Sequence, residues 1–234
     1  MAYTRLEKGA ASFDTMMKGF GVVTVMNADI YEIPEKSEDG FKGFDQYTAE
    51  DLREHILNGK TFKKLATIDT LKVANITIEG PTKSVTGGQY TNPLIKFGKT
   101  ARLEMQDALG RADAIDAFGG AIAQFNLEGE EGDKKELITG MHVTSDFAPI
   151  RLIIGKSFFI SKESGQQEYV DIMFYQVSPD SIFNLTQDAE GDATVFDMNA
   201  DLLTTDILVP HKDNKAYKHG VFYSILPEYV KSAN

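Results

Sequence analysis

Residues 71–110 read LKVANITIEGPTKSVTGGQYTNPLIKFGKTARLEMQDALG, and the two ends of this stretch decide the fold. In the first, Ala74, Ile76 and Ile78 alternate with Asn75, Thr77 and Glu79; in the last, Ala101, Leu103 and Met105 alternate with Arg102, Glu104 and Gln106. Successive side chains of a strand point to opposite faces, so each run has one apolar and one polar face. Two such runs in succession predict an antiparallel hairpin with a buried side and a wet side. The wet side is polar but mixed in charge, a composition that can line water without being sticky. Between the runs, residues 80–97 (GPTKSVTGGQYTNPLIKF) are long for a hairpin connection and read as a loop with no secondary structure of its own, carrying Val85, Tyr90, Leu94 and Ile95 among small polar residues. Loops of this length are usually functional or become ordered against a partner.

The strand signature continues outward. Upstream, residues 22–33 lean to strand, and PEKSEDGFKGFD (34–45) reads as a solvated, mobile loop. TAEDLREHILNG (48–59) is a short helix: the Thr48 hydroxyl caps free amides, Glu50 and Asp51 sit at the positive end of the dipole, and Gly59 offers a left-handed stop. Its narrow apolar face is Leu52, Ile56 and either His55 or Leu57. Downstream, RADAIDAF (111–118) gives two turns of helix before Gly119 and Gly120, and AIAQFNLE is a strand running into an acidic turn. IRLIIGKSFFI, EYVDIMFYQV, SIFNLTQ, TVFDMNADLL and AYKHGVFYSIL are then rich in β-branched and aromatic residues, separated by Gly, Pro, Asp or Asn. About eight to ten strands with one or two helices predict a mainly β chain, an antiparallel β-sandwich or barrel with short flanking helices, rather than an alternating βαβ fold. No repeat, low-complexity tract or linker interrupts the sequence, so one domain over residues 1–234 is expected, with an N-terminal arm at 1–20 and long loops at 34–45 and 80–95.

Composition narrows the chemistry. With 24 Lys and Arg against 35 Asp and Glu, the formal charge is 24 − 35 = −11, and cysteine and tryptophan are absent. Without Cys there is no disulfide framework, thiol nucleophile, iron–sulfur site or zinc finger. An acidic chain does not grip nucleic acid through a general basic surface, because phosphate neutralisation needs clustered Lys and Arg. If it handles DNA, it does so without adhering to it. No apolar run approaches the ~20 residues of a membrane span, and the first 26 residues carry no basic region followed by an apolar stretch, so neither a membrane segment nor a signal peptide is expected and synthesis in a cytoplasm is the default.

Motifs for catalysis fail one by one. Three Gly-Lys-Ser/Thr triplets begin at Gly59, Gly98 and Gly155, but the position five residues earlier, where a phosphate loop needs glycine, holds Glu54, Pro93 and Ile150. These read as turns leading into strands. GFGVVT (19–24) has Thr24 in place of the third glycine of a dinucleotide fingerprint. His55, His142, His211 and His219 never fall at the i, i+4 spacing of a helical metal site, and surface positions suit them better. DAEGDATVFDMN (188–199) resembles a calcium loop at Asp188, Glu190 and Asp192 but has Ala193 and Asn199 where Gly and Glu are required. There is no serine elbow, and 35 acids make any single carboxylate pair uninformative. The sequence therefore names no catalytic residue, no metal ligand and no cofactor, and predicts a protein whose function is its surface.

Residues 72–110 also resemble the central segment of the major tail (tail tube) proteins of long-tailed bacteriophages and related prophages of Gram-positive bacteria, most specifically in EGPTKSVTGGQY, in NPLIKFGKT and in LEMQDALG; the likeness covers about 40 of the 234 residues. Some tail proteins of this kind carry an extra C-terminal immunoglobulin-like domain, which is not expected in the 234 residues of this sequence.

The resemblance implies a β-sandwich with a flanking helix that closes into hexameric rings, stacked into a hollow tube around a tape-measure protein and ending at tail tip and tail terminator proteins. It implies a location in the virion after synthesis in the host cytoplasm, with DNA passing through the lumen without tight binding. On that analogy Asn75, Thr77, Glu79, Arg102, Glu104 and Gln106 face the channel, and the loop carrying Val85, Thr86, Gly87, Gly88, Gln89, Tyr90, Leu94 and Ile95 contacts other subunits or rings. The N-terminal arm and the 34–45 loop would be ordered by assembly. An excess of acid suits a wall past which phosphates slide. Three other readings stay open: the tube of a contractile injection or type VI-like system, a carbohydrate- or ligand-binding β-sandwich, and a hydrolase with an unrecognised acid pair.

Overall fold

The hairpin expected from the alternation is present in the computed structural model of the chain, with Ile76 opposite Leu103 and Ala74 opposite Met105 in antiparallel register. The structure describes residues 3–5, 22–36, 40–59, 61–69, 71–80, 82–84, 94–96, 98–107, 112–118, 121–128, 135–143, 148–160, 167–180, 184–186, 195–211 and 215–231. In chain order the strands begin with β1 (Tyr3–Arg5) and β2 (Val22–Glu32), followed after helix α1 (Ala49–Asn58) by β3 (Lys64–Ile68), β4 (Leu71–Glu79), β5 (Thr82–Ser84), β6 (Leu94–Lys96) and β7 (Thr100–Asp107). Helix α2 (Ala112–Phe118) leads to β8 (Ala121–Glu128), β9 (Lys135–Val143), β10 (Arg151–Ile160) and β11 (Gln167–Pro179). The rest are β12 (Asn184–Thr186), β13 (Val195–Leu202), β14 (Thr205–Pro210), β15 (Ala216–Val221), β16 (Tyr223–Pro227) and β17 (Tyr229–Lys231). The chain is mainly β with antiparallel pairing and short flanking helices, as the alternation predicts. No helix among the described residues is long and apolar enough to cross a membrane.

One nine-stranded sheet organises the molecule, in the order β3-β2-β10-β11-β13-β7-β4, with β12 added to β13 and β16 to β11. Its two halves differ. β10 and β11 carry near-continuous apolar runs because both their faces are covered. Ile153, Ile172 and Phe174 point into one core with Val25, Ile30, Ile68, Leu103 and the α2 residues Ala114, Ala117 and Phe118. Leu152, Ile154, Met173 and Tyr175 point the other way, into a second core with Leu52 and Ile56 of α1 and the rings of Phe41, Phe44 and Phe62. A register shift between Arg151 and Ile153 places two β11 residues, Tyr175 and Gln176, opposite one on β10. A bulge of this kind bends a strand. Beyond it, Val177–Pro179 leave the two-sided half and pair with β13.

Several local expectations are corrected. Thr48 caps α1 as predicted, accepting a hydrogen bond from the Asp51 amide at 3.1 Å. Gly59 stops the helix in extended rather than left-handed conformation (φ −85°, ψ 170°); a Cβ there would lie 2.3 Å from the His55 carbonyl oxygen, so close approach is what demands glycine. The buried α1 residues are Leu52, Arg53 and Ile56, and Arg53 was not expected on that face. The 34–45 stretch is not a free loop where it is described: Phe41 and Phe44 are buried and pack edge to face, 5.2 Å between centroids. Their aromatic area outweighs the polar residues around them. The 80–97 connection contains a short ladder, Thr82–Ser84 against Leu94–Lys96. Gly155 lies inside β10 rather than in a turn. AYKHGVFYSIL breaks at Phe222 into β15, which pairs with β14, and β16, which pairs with β11. Three-residue strands such as β12 are too short to show a period.

Candidate functional site

The six residues assigned to a wet face do share one. Across the ladder Asn75 is opposite Glu104 and Thr77 opposite Arg102, with Glu79 opposite Thr100 at the open end. Strands in a sheet lie about 4.8 Å apart, so these residues form rows. β13 extends the rows, because it pairs with β7 on the side away from β4 and sets Asp201 beside Arg102, Asn199 beside Glu104 and Asp197 beside Gln106. Beneath them Leu103, Met105, Met198, Ala200 and Leu202 are buried, which fixes which way the polar set points.

The added strand contributes two of the face's five carboxylates. Asp197, Asn199 and Asp201 alternate with Met198, Ala200 and Leu202, the same period-two signal that marked β4 and β7. What the sequence does not show is that β13 pairs with β7, a contact spanning roughly a hundred residues of chain. Asp180, just past β11, was missed for a different reason: it lies outside any strand and reaches the face only because the end of β11 crosses to β13.

Arg102 is the centre of the charge pattern. Its Nη2 donates to Asp180 Oδ2 at 2.5 Å, Nη1 is 3.6 Å from Asp201 Oδ1, and Nε is 3.9 Å from Glu104 Oε1. Gln106 Nε2 donates to Asp197 Oδ1 at 2.9 Å. Five carboxylates (Glu79, Glu104, Asp180, Asp197, Asp201) stand with two cations (Lys99, Arg102), a balance of 2 − 5 = −3. At the open end, Thr77, Lys99, Arg102 and Asp201 surround a recess of about 600 Å³ floored by Leu202, Leu203 and Phe222. The arrangement offers no nucleophile paired with a base; among the described residues no group of three His, Asp or Glu is placed to hold a metal ion. What it can do is present a hydrated, net negative surface on which the Arg102 guanidinium is held by carboxylates.

Of the residues assigned to the connecting loop, Leu94 and Ile95 lie in β6, while Val85, Thr86, Gly87, Gly88, Gln89 and Tyr90 fall outside the described residues, as do Asp188, Glu190, Asp192 and Ala193. β4 ends the sheet: among the described residues no strand pairs with its outer side along all nine residues. The exposed β15 belongs to a separate two-stranded ribbon with β14, pinned to the body by Lys218, whose Nζ donates to Asp45 Oδ2 at 2.7 Å. That bond holds the Asp45 carboxyl below its usual range, with a smaller contribution from Gln46. β1 pairs with β17, which brings described pieces of the two terminal segments together. No protein-family model matches the chain, and no curated protein sequence matches it.

Proposed function

We propose that the protein is a structural subunit that self-assembles into the hollow tail tube of a long-tailed bacteriophage, with no enzymatic activity. The observation that carries this reading is the polar face of β4, β7 and β13, net negative and bounded by β4, which pairs with no strand other than β7 among the described residues. Such an edge is a liability in an isolated sandwich and an asset in a ring, where a neighbouring copy covers it. Joined edge to edge, copies would form an inner wall with the polar rows toward the lumen, while the helix α1 layer faces outward on the other half of the sheet. The acid excess then repels phosphates and lets DNA pass. The tape-measure, tip and terminator proteins, hexameric stoichiometry and virion location belong to the same proposal, supported by the likeness of residues 72–110 to tail tube proteins.

Negative-stain electron microscopy of the purified chain, fresh and after days at high concentration, is the test. Hollow tubes or six-fold rings support the proposal. A chain that stays monomeric under all conditions, and also when mixed with preformed tail initiation complexes, counts against it. Replacing Gly87 and Gly88 with bulky residues should block tube growth while leaving the monomer folded. A ligand-binding module is the second reading, favoured by the recess beside Phe222, whose volume is in the range of small-molecule sites; saturable binding of a glycan or metabolite without self-assembly would select it.

A further inference from the structure

The polar face contains the parts of a phosphate site. Arg102 and Lys99 line the recess together with Thr77, Thr100 and Thr204, so a guanidinium, an ammonium and three hydroxyls open onto one concavity. A planar guanidinium fork and hydroxyl donors are what a phosphate dianion needs. Against them stand carboxylates from three different elements: Glu104 on Arg102's own strand, Asp201 on β13 and Asp180 beyond the end of β11. Their convergence on one side chain is a product of the tertiary fold, since Asp180 and Asp201 lie far from Arg102 in sequence. Asp180 takes the Nη2 position in hydrogen-bond geometry, and Asp201 approaches Nη1. These are the positions a phosphate would use.

We infer that Arg102 is a latent phosphate-binding residue held closed by Asp180 and Asp201, and that these two carboxylates make the face non-adhesive toward polyanions. Net charge repels polyanions at a distance, and occupation of the fork denies phosphate the guanidinium at contact. The inference rests on the tube reading only for its purpose, a wall past which nucleic acid moves; the chemistry stands for the isolated chain.

Asp180→Asn and Asp201→Asn together keep side-chain size and remove the two negative charges that hold the fork, leaving only neutral acceptors for a phosphate to displace. Binding of the unassembled chain to a short fluorescent DNA duplex, followed by anisotropy at low ionic strength, should tighten by at least about tenfold relative to wild type, with the slope of log K against log salt steeper by about one. Glu54→Gln with Asp69→Asn, exposed positions on α1 and after β3 that do not line the recess, makes the same change in net charge and should leave binding within about twofold of wild type. Adding Arg102→Gln to the Asp180/Asp201 variant should abolish the gain. A double variant that binds no better than the charge-matched control, or a gain that survives loss of Arg102, overturns the inference. If the double variant does not fold by circular dichroism, exposed Asp201→Asn alone carries the test, with about threefold tightening expected and no change refuting it. Electron microscopy of the wild-type chain, alone and with preformed tail initiation complexes, reports on tube formation separately, so a DNA-binding gain together with a wild type that never polymerises counts against the tube reading and not this one.

Discussion

The β2–β10–β11 half of the sheet and the β13–β7–β4 half are built from the same antiparallel ladder, yet the first has a buried apolar cluster on each side and the second on only one. The difference lies in what covers each. Helix α1 and the Phe41, Phe44 and Phe62 cluster roof the outer side of the first half, so Leu152, Ile154, Met173 and Tyr175 are buried there. The corresponding side of the second half carries Asn75, Thr77, Glu104, Asn199 and Asp201. One half supplies the stability that lets the other remain a surface. A sheet covered everywhere would have no polar wall to present, and one open on both halves would hold only one core.

The sharpest way to break the covered half is through its buried ion pair. Arg53 is fully buried, and its Nη1 donates at 2.6 Å both to Asp171 Oδ2 and to the Pro227 carbonyl, joining α1, β11 and the end of β16. Arg53→Ala removes the guanidinium from which the buried Asp171 carboxylate accepts at 2.6 Å, and removing one partner of a buried pair costs about 3–5 kcal/mol. Urea unfolding should show that loss. Leu152→Ala comes next. Leu152 lies under α1 with no exposure, and truncation to a cavity should cost about 3 kcal/mol. A loss under about 1 kcal/mol would mean that the roof is loosely packed and the two halves are less different than they look.

The same comparison explains what could be read from sequence. β4 and β7 were legible because their polar faces preserve the alternation, and α1 because Thr48, Glu50 and Asp51 mark its start. In the covered half the alternation is erased: Val170, Asp171, Ile172, Met173, Phe174 and Tyr175 are all buried, so periodicity gives no direction to any of them. Arg53 is a charged residue that local patterning assigns to solvent, and only its distant partners on β11 and after β16 explain its burial. Phe41 and Phe44 were hidden among Lys, Asp and Gly. The polar wall was half visible: its β4 and β7 rows were local, while Asp180 and the β13 acids joined it through long-range pairing.

Alkaline pH should separate the halves by titration. Burial pushes the Tyr175 hydroxyl up to about 12, against smaller opposing effects of its 2.6 Å hydrogen bond to Ser224 and of the Arg53 charge. An unfolded tyrosine ionises near pH 10, so below that both states keep the proton and its contribution is intact. Between pH 10 and 12 the unfolded chain ionises alone, and stability falls as pH rises. Two units at 1.36 kcal/mol per unit amount to about 2.7 kcal/mol, lost in full only as pH passes above 12. Tyr175→Phe should lose about 1 kcal/mol at neutral pH, from the Ser224 bond, and show a flatter decline above pH 10. Parallel wild-type and variant declines would place the alkaline sensitivity elsewhere.

The smallest effects belong on the open face. Asn75 and Glu104 face each other across β4 and β7 and are both exposed, so Asn75→Ala or Glu104→Gln removes no buried contact and leaves no cavity. Each should change stability by less than about 0.5 kcal/mol, as surface substitutions do, against the several-fold larger loss for Leu152→Ala on the equivalent side of the other half. Conservation of stability is then the control that makes function readable there. Glu79→Lys with Glu104→Lys shifts the face by four units of charge while leaving its core untouched, so on the proposed tube function tubes should still form and DNA ejection from particles carrying them should slow. A large stability loss in the single variants would show that these positions pack rather than face water; normal ejection by well-formed Lys-bearing tubes would remove both glutamates from the lumen.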